Sequence, residues 1–248
     1  MQPVKKYPII AFLAILLISF SFFPAWAGIA TSNLSRAVCR ELTPSLKFEL
    51  SNLGLNFGSP IFIRIFKETN ELELWVKGKE RYQLFKTYEI CCLSGELGPK
   101  QKEGDFQSPE GFYTVGSSQL NPFSSFHLSF NLGYPNRYDR AHGRTGSALM
   151  VHGSCVSAGC FAMTDRRVEE IYTLAEAALK NGQPFFRVHI FPFRMTAENM
   201  ARHKNSQWLD FWNNLKHGYD LFEASLIPPD TRVKRKKYVF DSPHGGNV

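Results

Sequence analysis

Apolar segments of strand length, separated by polar turns, dominate the chain from residue 60 onward. Residues 61–66 form an apolar run around a single Arg, which is typical of a buried strand. Residues 71–76 alternate between polar and apolar positions, and residues 82–90 follow a Lys-Gly-Lys-Glu turn. Three short strands with tight connections predict an antiparallel sheet.

The second half of the chain mixes further strands with helices. Apolar residues at helical spacing begin after Thr164 or Asp165, which are the candidate caps, and end at Asn181-Gly182. Strands are also predicted at residues 112–115, 126–132, 149–151 and 185–191, and short helices at 196–204 and 206–216. The predicted fold class is mainly β, of the α+β type, in one folded domain.

The two ends of the chain depart from this pattern. Residues 1–27 contain two lysines, an apolar stretch and an Ala-Trp-Ala motif, which predict a secretory signal peptide and a periplasmic protein, with an uncleaved anchor as the alternative. Residues 28–58 show weak periodicity and predict a linker with one short helix near 45–53. Residues 228–248 predict a basic, mobile tail.

The distribution of charge argues against nucleic-acid binding. The net charge is +7, but Lys5 and Lys6 lie in the leader and five more cations lie within residues 232–237. A nucleic-acid-binding protein carries its positive field on the folded face that contacts phosphates. The basic tail is expected instead to contact anionic envelope surfaces weakly.

The run from Leu149 to Asp165 concentrates reactive side chains that neither a buried strand nor a helix start requires. Cys160 is the expected nucleophile, with its thiol acidified by the start of the following helix. His152, at the end of a strand, is the expected base, and His142 is a second candidate. The N–H groups at Gly159 and Cys160 are candidate oxyanion donors, so the run indicates acyl transfer.

A long polar loop over residues 133–147 precedes the strand that carries His152, and such loops often hold substrate contacts. Arginine suits a free carboxylate of a substrate, because its guanidinium can bind both carboxylate oxygens. In the alternative interpretation, Asp139 pairs with Arg140 or Arg137 and holds the loop. The candidate substrate-binding residues are Tyr138, Arg140, His142, Arg144 and Ser157.

An earlier loop over residues 94–105 is rich in Gly and polar residues. Its lysines, Lys100 and Lys102, are candidates for contacts with carboxylates of a peptide. Because loop lysines are mostly exposed, we expect them to be solvated charges.

Five cysteines lie after the predicted leader, and export permits disulfides. An odd number leaves at least one thiol free, and a nucleophilic Cys160 must be that one. Cys155 is then able to pair with Cys91, Cys92 or Cys39, and the sequence does not choose among them. An alternative is a zinc site, although its spacing matches no standard structural pattern. Its ligands would be His142, His152, Cys155 and Cys160.

The same residues resemble a known family. His152-Gly153 after an apolar strand, followed by Ser157-x-Gly159-Cys160, is similar to the signature of the YkuD-type L,D-transpeptidases, cysteine enzymes of the bacterial cell wall. Residues 104–113 resemble the family's Thr/Ser-Pro-x-Gly-x-Tyr segment. The resemblance extends over residues 59–193 and is closest to the YafK-like branch, through residues 138–143, 152–163 and 191–195.

The resemblance implies a β-sandwich or open barrel over residues 59–193, a helix after the catalytic Cys, and a small helical extension over residues 194–227. It implies no cofactor, no metal, and peptidoglycan stem peptides as substrates. The YafK-like branch is associated with hydrolysis of the amide between diaminopimelate and the Lys of Braun lipoprotein, which makes that lipoprotein a candidate partner.

Two departures from the family signature leave other activities open. Ala158 stands where the family has a His before Gly-Cys, and the gap from His152 to Cys160 is shorter than in typical members. The alternatives are therefore transpeptidation, which forms cross-links or attaches lipoprotein, and a non-catalytic wall-binding module.

Overall fold

A computed structural model describes residues 28–241 of the chain. Its strands are β1 (Ile61–Phe66), β2 (Glu71–Lys77), β3 (Tyr82–Glu89), β4 (Gly111–Gly116), β5 (Leu120–Asn121), β6 (Ser129–Asn131), β7 (Met150–His152), β8 (Phe161–Ala162), β9 (Phe185–Phe191), β10 (Asp230–Lys234) and β11 (Lys237–Asp241). Its helices are α1 (Asn33–Asn52), α2 (Arg137–Ala141), α3 (Asp165–Lys180), α4 (Ala197–Arg202) and α5 (Leu209–Ser225).

Two sheets form the body of the molecule. The larger has the order β3-β2-β1-β9-β4, in which β1 is antiparallel to β2 and parallel to β9. The smaller has the order β5-β6-β7-β8, with β7 and β8 parallel. The predicted antiparallel sheet and the α+β class are confirmed, whereas the strand predicted at 126–132 is limited to β6.

Helix α3 joins the two sheets because it contacts β1 and β9 of the larger sheet and β6 and β7 of the smaller one. Its apolar face is fully buried at Val168, Ile171 and Ala175. The predicted N-cap position is confirmed at Thr164, but Thr164 has a positive φ and its side chain makes no capping hydrogen bond, while the carboxylate of Asp165 accepts the Ser154 N–H at 2.7 Å. The helix start is therefore tied to the loop after β7.

The segment predicted as a linker is largely helical. Helix α1 spans 20 residues and packs on α3. Its buried residues recur every four positions at Val38, Leu42, Leu46 and Leu50, the spacing of one helix face. Pro44 lies inside this helix and is exposed, so it interrupts the backbone hydrogen bonds without removing a buried contact.

The predicted mobile tail is wrong for its described part, because β10 and β11 form an antiparallel hairpin. Tyr238 on β11 is buried, with its ring centroid 4.2 Å from that of Tyr138 and 4.8 Å from that of Phe112. The basic residues lie at the exposed turn of this hairpin. Aromatic burial on one side of β11 thus anchors a segment whose other side is charged.

The remaining predictions about the chain ends lie outside the described residues. Residues 1–27, the predicted signal peptide, and residues 242–248 are not described. Within residues 28–241, none of the helices has both the length and the apolar character that crossing a bilayer requires.

Candidate active site

Strands β7 and β8 bring the two principal candidates of the sequence analysis together. In this parallel pair, Val151 lies opposite Phe161 and His152 lies opposite Ala162, so Cys160 immediately precedes the strand that runs beside His152. The Cys160 Sγ accepts the Met150 N–H at 3.4 Å and lies 3.7 Å from the Ala148 carbonyl oxygen. The thiol is therefore held against the start of the strand that carries the imidazole.

A backbone carbonyl fixes the protonation pattern of His152. Its Nδ1 lies 2.6 Å from the Gly153 carbonyl oxygen, which can only accept, so Nδ1 carries the hydrogen. In the neutral ring, Nε2 is then the unprotonated nitrogen. The ring is buried and packs 4.8 Å from the ring of Phe126, and burial lowers the pKa of His152 despite the bond to Gly153. The imidazole is neutral and able to act as a base.

The expected acidification of Cys160 is wrong. Burial raises the pKa of the Cys160 thiol, and the Met150 N–H and the charge of Lys100 only partly oppose that effect. Helix α3 begins only at Asp165, with β8 between it and Cys160, and the field of a helix start acts over its first turn. The resting pair is consequently a neutral thiol and a neutral imidazole.

The turn before the thiol is held by Ser157, for which a substrate contact was predicted. The Ser157 hydroxyl donates to the Cys160 carbonyl at 2.8 Å and accepts the Gly159 N–H at 3.2 Å. The Gly159 N–H is thus already engaged. The Cys160 N–H has no hydrogen-bond partner within residues 28–241, which leaves it as the donor for an oxyanion.

Gly159 is required by the geometry of this turn. Its φ is 120°, which L-residues rarely adopt, and a Cβ there would lie 3.1 Å from Leu149 and 3.4 Å from the Gln107 carbonyl oxygen. A side chain at this position would be strained and crowded at the residue before the thiol.

The predicted substrate-binding loop is mostly occupied with its own packing. Asp139 pairs with Arg144 at 2.8 Å, and both are buried, so the predicted pairing with Arg140 or Arg137 is wrong. The Arg140 guanidinium is exposed and donates to the Pro135 carbonyl. A substrate contact from the buried Arg144 is not supported, whereas one from Arg140 stays a prediction.

Tyr138 and His142, the other two candidate substrate-binding residues of this loop, stack on each other. The rings of Tyr138 and His142 are 4.1 Å apart, and His142 Nδ1 lies 2.9 Å from the Tyr138 carbonyl oxygen. Tyr138 is buried, which does not support a substrate contact from it, whereas His142 is exposed. A role for His142 in substrate binding stays a prediction, and His152 is the imidazole that the strand pairing brings beside Cys160.

Two loop cations are buried rather than solvated. Lys100, predicted to be exposed, is 3% accessible and pairs with Asp105. Lys67 at the end of β1 is equally buried, and its ammonium lies 3.1 Å from a Glu110 carboxylate oxygen. The other Glu110 oxygen accepts the Trp212 indole N–H at 2.8 Å.

Lys67 organises the loop beside Cys160, and the sequence analysis did not identify it. Its ammonium also donates to three backbone carbonyls, those of Glu96, Gly98 and Ser108, at 2.8–3.0 Å. The Ser108 hydroxyl in turn donates to the Cys160 carbonyl at 3.4 Å. The sequence signal was weak: a charged residue directly after a buried strand looks like the start of a turn.

One disulfide joins Cys91 to Cys155, with 5.4 Å between the Cα atoms. This was one of the three pairings that the sequence left open. It makes the zinc hypothesis wrong, because Cys155 has no thiolate to offer, and no group of three or more His, Cys, Asp or Glu side chains suited to a metal occurs in residues 28–241. Within that range the free cysteines are Cys39, Cys92 and Cys160.

Comparisons with known proteins show the family to which the chain is related. Residues 60–218 match the family model of the YkuD L,D-transpeptidase catalytic domain. The chain is 48% identical over 231 residues to YafK of Escherichia coli (strain K12), itself named only as a candidate L,D-transpeptidase, with 93% of this chain and 89% of that protein covered. The same values hold for YafK of Escherichia coli O157:H7.

Solved structures are more distant. The helical cell shape determining protein Pgp2 from Campylobacter jejuni superposes with a TM-score of 0.42 at 17% identity, over 75% of this chain and 79% of that one. The family match covers more than half of the chain and includes both sheets and the residues around the thiol. The chain therefore belongs to the YkuD family of L,D-transpeptidases and is an enzyme of that family.

Proposed function

We propose that Cys160 is the nucleophile and His152 the general base of an acyl transfer on peptidoglycan stem peptides. The observation that carries the proposal is the hydrogen bond from His152 Nδ1 to the Gly153 carbonyl, which leaves Nε2 unprotonated on the strand beside the thiol. A neutral thiol needs such a base, because the raised pKa of Cys160 leaves little thiolate at neutral pH.

The reaction proceeds in two balanced halves. Nε2 of His152 takes the thiol proton as Sγ of Cys160 attacks an amide carbonyl, and the Cys160 N–H donates to the developing oxyanion. The C–N bond breaks, the leaving amine receives the proton from His152, and a thioester remains on Cys160. An acceptor, water or an amine, then attacks the thioester carbonyl and gives its proton to His152. The C–S bond breaks, the acyl group stays on the acceptor, and the Cys160 thiolate receives the proton from His152.

For the acceptor we propose water and for the bond the amide between diaminopimelate and the Lys of Braun lipoprotein. The resemblance of residues 138–143, 152–163 and 191–195 to the YafK-like branch supports this choice. Ala158 stands where other family members have a His before Gly-Cys. This difference supports an acceptor region of the site that is built differently from theirs. L,D-transpeptidation, with a stem-peptide amine as acceptor, is the second candidate.

We propose that the protein acts in the periplasm, after export directed by residues 1–27. The disulfide between Cys91 and Cys155 supports an oxidising compartment, because structural disulfides are rare in the cytoplasm of most bacteria. The basic turn of the β10–β11 hairpin is a candidate contact for anionic envelope surfaces.

The test compares two substrates and two proteins. Purified wild type and Cys160→Ala are incubated with lipoprotein-bearing murein and with plain tetrapeptide murein, and products are identified by mass. Release of lipoprotein without an attached muropeptide, by wild type only, supports the hydrolase. New 3-3 cross-links in the tetrapeptide sample would instead assign transpeptidation. Equal rates for wild type and Cys160→Ala would show that Cys160 is not the nucleophile.

The pH dependence of the reaction follows from the two pKa shifts. His152 acts as a base only when neutral, and because its pKa is lowered it loses a significant neutral fraction only below about pH 6.5. The raised pKa of Cys160 keeps the thiol protonated well above neutral pH. We therefore expect kcat/KM to be level from about pH 7 to 8 and to fall on the acid side of about pH 6.5. An acid limb centred above pH 7.5 would contradict a neutral resting pair.

A further inference from the structure

Residues 91–94, here named the strap, lie along the edge of the smaller sheet. Strand β8 is the last strand of that sheet, and the strap covers its free side. The N–H groups of Cys91 and Cys92 donate to the Ala162 carbonyl at 2.8 and 3.2 Å, and the Ala162 N–H donates to the Cys92 carbonyl at 2.9 Å. The backbone just after Cys160 is therefore fixed on both sides, by β7 and by the strap.

The strap also holds the loop before Cys160 at two points. Cys91 is joined by the disulfide to Cys155. The Ser94 hydroxyl lies 3.2 Å from that of Ser157, which donates to the Cys160 carbonyl. One short segment thus contacts the loop between His152 and Cys160 at its middle, at its final turn and directly beyond its end.

Apart from the strap, the loop is held mainly at its first residues, where the Ser154 N–H donates to the Asp165 carboxylate at 2.7 Å and the Ser154 carbonyl accepts the Thr164 N–H at 2.8 Å. Residues 153–160 have no regular secondary structure, and Ser154, Cys155, Val156 and Ala158 are exposed. A segment without buried apolar contacts opens at low free-energy cost unless it is cross-linked. The separation of the thiol from the imidazole depends on this loop, because the loop begins after His152 on β7 and ends with Cys160 directly before β8.

From these contacts we propose that the strap positions the nucleophile, with Cys91, Cys155 and Ser94 as positioning residues that touch no substrate. The proposal rests on the proposed role of Cys160. Without the disulfide, the loop samples conformations in which Sγ is displaced from the imidazole. A displacement of about 1 Å lowers the rate of the chemical step by up to about a hundredfold. Substrate contacts made by residues outside this loop are affected less.

The first test removes the disulfide without leaving a new thiol. The double variant Cys91→Ser/Cys155→Ser is compared with Cys39→Ser, whose thiol lies on α1 and outside the site. We expect kcat of the double variant on murein to fall roughly ten- to a hundredfold with a smaller change in KM, and Cys39→Ser to keep wild-type values. In parallel, the pH profile of Cys160 alkylation by iodoacetamide, read by peptide mass, is expected to shift in the double variant only.

The second test leaves the disulfide intact. Ser94→Ala removes the bond to Ser157, whereas Ser94→Thr keeps a hydroxyl. We expect a lower kcat in Ser94→Ala that Ser94→Thr restores, in proteins with the same unfolding midpoint. Wild-type kcat and alkylation profiles in Ser94→Ala would overturn the proposal even if the double variant fails to fold. A shifted alkylation profile without murein turnover by any variant would instead refute the proposed function and leave the positioning role standing.

Discussion

Replacing Cys160 by Ala is expected to reduce murein turnover by about 10⁴-fold or more, because no other group in the site can form the thioester. The alternative thiol in the same run, Cys155, is held in a disulfide. The substitution removes one sulfur atom that is only partly buried, so the fold should be retained. Product release is measured by mass spectrometry and folding by circular dichroism and thermal unfolding.

The matched control is Cys92→Ser, which removes the free thiol that lies nearest in sequence to the disulfide. It is expected to leave Cys160 as reactive toward iodoacetamide as in the wild type. His152→Ala should cost roughly 10²–10⁴-fold on its own. Because base and nucleophile act as one unit, the double variant Cys160→Ala/His152→Ala should be no slower than Cys160→Ala alone. Additive losses would show that His152 acts elsewhere.

Replacing Lys67 by Met is expected to destabilise the protein by about 3–5 kcal/mol, the cost of leaving one member of a buried ion pair without its partner. The Glu110 carboxylate is completely buried, and without Lys67 only the Gly98 N–H and the Trp212 indole N–H remain as donors to it. The Ser108 carbonyl would also lose its donor, whereas the carbonyls of Glu96 and Gly98 would keep the Gln107 side-chain amide. Urea unfolding monitored by tryptophan fluorescence measures the change.

Comparing Lys67→Met with the same substitution in an exposed ion pair separates the effect of burial on stability from that of losing a charge. Lys216 pairs with Asp220 one turn along α5 at the surface. Lys216→Met should cost no more than about 0.5 kcal/mol, because exposed ion pairs of this spacing contribute little. A similar loss for both variants would show that the Lys67–Glu110 pair does not organise the loop. We also expect Lys67→Met to lower kcat at temperatures where it is folded, since Ser108 in that loop contacts the Cys160 carbonyl.

The regular elements were largely predictable because each bears a local pattern. Strand β1 is an apolar run that is buried along its whole length, β2 alternates between polar and apolar residues in sequence, and α3 buries the face marked by its apolar residues at helical spacing. Only the second half of helix α1 was predicted, near residues 45–53, because Pro44 and scattered polar residues obscured the four-residue repeat of its apolar positions. The β10–β11 hairpin was missed because its many basic residues were interpreted as a mobile tail, although more and less exposed positions alternate along β10.

The site was only partly predictable. The choice of His152 and Cys160 followed from their types and spacing around an apolar strand, and the structure places His152 on β7 and Cys160 directly before the paired strand β8. The ionisation of Cys160 was wrongly predicted, because it depends on burial and on where α3 begins. Ser157 was given a substrate contact, whereas its hydroxyl bonds to Gly159 and Cys160 in its own turn and to Ser94 from a distant segment.

The sequence by itself determined the reactive groups of this protein, the family to which they belong and the elements that carry them, because residue types and short-range periodicity are local properties. Tertiary structure alone decided which cysteine Cys91 joins, that Arg144 rather than Arg140 meets Asp139, and that Lys67 and Lys100 lie buried. Those outcomes depend on which segments pack side by side, and desolvation and pairing act only between groups that the fold has brought into contact.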